Sequence, residues 1–96
     1  MSASRYRIVL HREAAREMNA LPKKLRVRIA EIIDGLAEDP RPASAAALKG
    51  RKGAYRIRIG DHRLIYEVRA TEIAVYIVGV AHAREVDLRL LRHRSE

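Results

Sequence analysis

The segment from Tyr55 to Val68 leaves the chain little freedom. Tyr55-Arg56-Ile57-Arg58-Ile59 alternates apolar and basic residues, and a period of two marks a strand with one buried and one open face. Gly60-Asp61 follows, a Gly-first dipeptide of the kind that closes a two-residue β-hairpin. This turn fixes the register, with Ile59 opposite His62 and Arg58 opposite Arg63. Across the same ladder His62, Leu64, Tyr66 and Val68 share the side of Tyr55, Ile57 and Ile59, which becomes the core face. Arg56, Arg58 and Arg63 share the other. Like charges directly opposite one another on a sheet cost up to about 1 kcal/mol, and nothing about folding asks for Arg58 against Arg63. A bound polyanion would reverse that sign.

The rest of the chain supplies what the hairpin must pack against. Arg5 to Leu10 reads as a short strand with Tyr6, Ile8 and Leu10 on one face. Arg12 to Ala20 is helical, and Ala14, Met18 and Leu21 form its apolar stripe. Pro22 marks a restart. From Lys23 to Glu38, Leu25, Ile29, Ile32, Ile33 and Leu36 recur at helical spacing, and Asp39-Pro40-Arg41-Pro42 ends the helix because proline lacks an amide hydrogen and excludes helix from the residue before it. A loop through Ala43 to Lys52 leads to the hairpin. Ile73 to Val80 is apolar at nearly every position, as in a strand buried on both faces. Arg84 to Arg92 can form a charged helix with Val86, Leu90 and Leu91 inward. The order β-α-α-β-β-β implies an α+β fold in which two N-terminal helices cover one face of a small, mostly antiparallel four-stranded sheet, with a short C-terminal helix. At 96 residues and 48% hydrophobic content, residues 1–96 are expected to form a single domain.

Charge narrows the function. Lys and Arg number 20 against 12 acids, a net of +8, which favours nucleic acid or another polyanion as partner. The excess is focused. Residues 49–63 hold six bases and one acid, Asp61, whereas residues 64–96 carry five of each sign. The chain has no cysteine, so disulfides and thiolate chemistry are excluded, and histidines at 11, 62, 82 and 93 lack metal-ligand spacing. No metal or cofactor is expected. With no apolar signal segment and no stretch near the ~20 residues of a membrane span, a cytoplasmic location is expected.

Two stretches are similar to a known family. Leu48-Lys49-Gly50 with Gly53-Ala54-Tyr55-Arg56-Ile57-Arg58-Ile59-Gly60-Asp61-His62-Arg63-Leu64-Ile65-Tyr66-Glu67, and the ending Val80-Ala81-His82-Ala83-Arg84-Glu85-Val86, resemble the RelE branch of the RelE/ParE toxin superfamily. The resemblance runs over about residues 5 to 90. It implies the toxin of a type II toxin–antitoxin system, a metal-independent, ribosome-dependent endoribonuclease that cuts mRNA in the ribosomal A site. In such chemistry the ribose 2′-hydroxyl attacks the adjacent phosphate and leaves a cyclic phosphate. It further implies ribosome and mRNA as partners, together with a small RelB-like antitoxin that silences the toxin in a hetero-oligomer. Two other functions fit the superfamily: a ParE-like inhibitor of DNA gyrase, and a catalytically weakened relative that only binds its antitoxin.

Carried over by position, the family's basic pair on the first hairpin strand falls on Arg56 and Arg58, and its phosphate-binding arginine on Arg63. Where many members have a further arginine after the last strand this chain has Ala83, with Arg84 next to it, and the acid–base tyrosine is replaced by Asp87. Arginine keeps its proton to a pKa above about 12 and is a poor base. Arg56 and Arg58 can therefore stabilise a pentacovalent phosphate but leave proton transfer open, and His82 is the nearest side chain that titrates near neutral pH. The candidate catalytic set is thus Arg56, Arg58, Arg63, His82 and Arg84. Lys49, Arg51 and Lys52 are read as mobile loop cations able to hold RNA backbone without reading sequence. His62, Tyr55 and Tyr66 alternate with aliphatic residues and are assigned to packing.

Overall fold

The computed structural model describes residues 5–84. Five strands and two helices follow in the order β1 (Arg7–Leu10), α1 (Arg12–Asn19), α2 (Lys23–Leu36), β2 (Ala45–Ala47), β3 (Ala54–Ile59), β4 (His62–Arg69) and β5 (Ala74–His82), with a single 3₁₀ turn at Ala70–Glu72. They form one sheet of order β1-β5-β4-β3-β2. Pairing is antiparallel except between β1 and β5, which run parallel. The α+β architecture and mostly antiparallel sheet match expectation, but the strand count is five rather than four. The added strand, β2, lies inside the stretch read as loop. Three alanines carry neither alternation nor strand propensity, so only pairing with β3 makes Ala45–Ala47 a strand. The helix expected over Arg84 to Arg92 lies, beyond Arg84, outside the described residues.

Both helices lie on the core side of the sheet. His11 starts α1, its Nδ1 accepting the Glu13 amide at 3.3 Å. Ala14 of α1 and Ile29, Ile33 and Leu36 of α2 are buried with Ile57, Ile59, Leu64, Tyr66, Val68, Val75, Ile77 and Val80 of the sheet. Each large aliphatic side chain buried there contributes roughly 1.5–3 kcal/mol. Tyr66 is fully enclosed, and its hydroxyl donates to the Pro40 carbonyl at 2.9 Å, which ties the segment after α2 to the middle of the sheet. Burial pushes its pKa up to about 12. No described helix is long and apolar enough to cross a membrane.

The hairpin closes as its sequence dictates. Ile59 pairs with His62, Arg58 with Arg63, Ile57 with Leu64 and Tyr55 with Tyr66. Gly60 adopts φ 60°, the first position of a Gly-first hairpin turn. A Cβ at Gly60 would meet no atom within 4 Å, so backbone conformation alone, not space, demands glycine there.

One irregularity reshapes the sheet's far end. Between β4 and β5 the register shifts by one residue at Ile65/Tyr66, so that Tyr66 pairs with Ile77 and Ile65 with Gly79. Val78 is the extra residue. On either side of such a bulge the alternation changes phase: Val75 and Ile77 face the core before it, and Val80 faces the core after it. Glu17 of α1 fastens the shifted segment, its Oε1 accepting the Val80 amide at 2.9 Å.

Candidate nucleic-acid interface

The sheet face turned away from the helices is laid out by register in rows across three or four strands. Continuing the β2–β3 pairing by one residue sets Ser44 opposite Arg58, and the row runs on to Arg63 and Ala81. The next row is Ala46, Arg56, Ile65, Gly79. Two rows of small or aliphatic neighbours therefore carry three guanidiniums. Arg56 and Arg58 are exposed, and among the described residues neither has an ion-pair or hydrogen-bond partner. Arg63 is half-buried and folded back on the turn, its Nη1 donating to the carbonyls of His62 at 3.0 Å and Gly60 at 3.4 Å. Those contacts hold the guanidinium against the turn instead of leaving it to swing.

The structure separates the remaining candidates. Lys49 and Lys52 are exposed in the turn between β2 and β3. Arg51 is not a free loop cation: its Nη2 lies 2.9 Å from Glu67 Oε2, with 30% and 22% of the two side chains exposed. The sequence lists Arg51 among basic neighbours, but β4 brings a carboxylate sixteen positions away to its side. Arg84 is exposed beyond the end of β5, where its amide donates to His82 Nδ1 at 3.4 Å.

His82 is exposed at the end of β5. It pairs with His62, and the two rings meet edge to face at 5.8 Å. His62 shares the core side with Ile59, so the register turns His82 to the helix side of the sheet. Counting in twos from Ile77 would have put His82 on the arginine face; the bulge at Val78 reverses it. The register thus sets His82 beside His62, on the side of the sheet opposite Arg56, Arg58 and Arg63. Among the described residues the arginine rows contain no side chain that titrates near neutral pH.

Two further features were not legible from the chain. Ser44, Ala46, Arg56 and Arg58 line an open recess of about 240 Å³, which exists because β2 supplies only small side chains next to two long ones. Glu67 bridges Arg51 and Arg69, and Arg69 also lies 3.7 Å from Glu72 and 4.0 Å over the Tyr76 ring. The acid–base spacing of Glu67, Arg69 and Glu72 was the available signal for that network.

Comparison with known proteins agrees with this geometry. No protein of curated function matches the sequence significantly. Solved structures do. The chain is similar to the archaeal RelE–RelB complex from Pyrococcus horikoshii (29% identity, 80% of this chain and 93% of that chain, TM-score 0.72). It is also similar to the intact RelBE toxin–antitoxin complex of E. coli (25% identity, 81% and 96%, TM-score 0.72) and to the RelBE2 complex of Mycobacterium tuberculosis (25% identity, 81% and 98%, TM-score 0.69). A family model for the ParE toxin of the type II toxin–antitoxin system parDE matches residues 8–87. A chain with this sheet, this helix layer and this match over most of its length belongs to the RelE/ParE superfamily of type II toxin–antitoxin toxins.

Proposed function

We propose that the chain is a ribosome-dependent mRNA endoribonuclease that inhibits translation in the cytoplasm and is neutralised by a cognate RelB-like antitoxin. The observation that carries this is the pair of exposed guanidiniums of Arg56 and Arg58, without a partner among the described residues, in register with Arg63 on the sheet face turned away from the helices. Three fixed positive charges serve a phosphate whose negative charge grows as a 2′-oxygen attacks it, and stabilisation of developing charge by preorganised donors is a large term in catalysis. Attack forms the 2′-oxygen–phosphorus bond, breaks the bond to the 5′-oxygen of the next nucleotide and leaves a 2′,3′-cyclic phosphate. The 2′-hydroxyl proton leaves and the departing 5′-oxygen gains one. The arginine rows offer no group for these transfers, and this incompleteness is what makes the ribosome a required partner in the proposal. Lys49 and Lys52 add backbone contacts at the neighbouring turn. Arg84 stands just beyond β5 and would extend the cationic surface.

The antitoxin component draws on the three similar toxin–antitoxin complexes. An acidic or amphipathic segment lying over the arginine rows would remove the phosphate site by charge and by cover, in a complex weakened by salt. Gyrase inhibition is the second reading, favoured by the ParE description of the matched family model.

Purified protein added to a translating extract tests both. In-frame cuts mapped at transcript 5′ ends, absent without ribosomes, are the expected result. Intact transcripts together with inhibited supercoiling would transfer the function to gyrase.

A further inference from the structure

The recess between β2 and β3 is unaccounted for by phosphate binding. It is lined by Arg56 and Arg58 of β3 and by Ser44 and Ala46. Register sets these four positions as a square, Ser44 opposite Arg58 and Ala46 opposite Arg56. β2 is also the edge of the sheet, so the recess opens sideways as well as outward. A chain crossing the rows from Arg63 over Arg58 would leave the molecule through it.

We infer that this recess seats one nucleotide of the RNA, next to the phosphate held by Arg56 and Arg58, and that Ser44 and Ala46 set which nucleotide fits. The inference rests on the nuclease reading above. Its volume of about 240 Å³ suits a nucleoside, not a longer segment. Guanidinium planes lining it can stack on a base as well as pair with phosphate. Ser44 contributes a hydroxyl that both donates and accepts, suited to a base edge or to a ribose hydroxyl. Ala46 contributes a methyl group, whose shortness keeps the recess open. Specificity then comes from β2, whereas charge stabilisation comes from β3 and β4.

Filling the recess tests the assignment. Ala46→Leu does so from the exposed face of β2, and Ser44→Leu does so from the residue before the strand, outside the ladder. Each should lower ribosome-dependent cleavage at the preferred sites at least about tenfold, the scale on which one or two methylene groups are discriminated in a pocket. Ser44→Ala should redistribute the cut sites, because the hydroxyl that meets the base edge or ribose is lost. Circular dichroism should stay as in the parent chain. Folded Leu variants that cut at parental sites and rates would overturn the subsite and leave the nuclease reading standing. Loss of antitoxin affinity with unaltered cutting would assign the recess to an acidic side chain of the antitoxin, overturning it equally. A parent protein that cuts no mRNA on ribosomes would remove the nuclease reading and the subsite together.

Discussion

The outward face of the sheet carries arginines at both ends, and the two ends treat them differently. Toward the end of β4, Arg51 and Arg69 are bridged by Glu67, and Arg69 is also close to Glu72 and stacked on Tyr76. Toward the hairpin turn, among the described residues, Arg56 and Arg58 have no carboxylate beside them and Arg63 donates to backbone carbonyls. Residue type is the same, but charge compensation is not. Where acids are interleaved the arginines are part of the architecture. Where they are withheld, like charges stand in cross-strand register at a cost, which a bound polyanion would recover.

The largest effect should come from removing the uncompensated charges. Arg56→Ala and Arg58→Ala should each lower cleavage about 10²–10³-fold, as loss of a transition-state donor does elsewhere, with thermal midpoints unchanged or raised. Arg69→Ala, on the same face, should cut at the parental rate. Equal activity losses at Arg58 and Arg69 would erase the distinction between the two ends.

A second test converts one end into the other. Arg63→Glu sets a carboxylate opposite Arg58, replacing a repulsive cross-strand pair with an attractive one of roughly 0.2–1 kcal/mol. Toxicity in growth assays should disappear while the denaturant midpoint holds, the new pair offsetting the lost contacts of Arg63 to the turn. Retained toxicity would remove Arg63 from the site.

The converse change acts on stability. Glu67→Ala deprives Arg51 and Arg69 of their shared partner, and should lower unfolding free energy by about 1 kcal/mol through the less exposed Arg51 pair. Cleavage by the folded fraction should be unchanged, as measured by chemical denaturation and end mapping on one sample. The smallest effect is expected at His82. Because it faces the helix side beside His62, His82→Ala should fall well short of the about 10²–10⁴-fold loss typical of a positioned acid–base group. A loss within that range, with a rate that follows histidine titration, would show that His82 reaches the phosphate around the strand end.

Much of this was legible locally. The alternation from Tyr55 to Ile59 and the Gly60-Asp61 turn determined the hairpin, its core face and the opposition of Arg58 and Arg63, because hairpin register depends on a turn type and a period of two, both local. The apolar spacing in residues 23–38 determined α2 and its buried face for the same reason. Tertiary structure decided the rest. Ala45–Ala47 becomes a strand only because β3 offers a free edge, so the fifth strand and the recess it lines could not be read from three alanines. Arg51 becomes structural only because β4 brings Glu67 to it. His82 takes the helix side only because a single extra residue at Val78, fastened through the Val80 amide by Glu17 from α1, changes the phase of β5, and no pattern of period two can announce the residue that interrupts it.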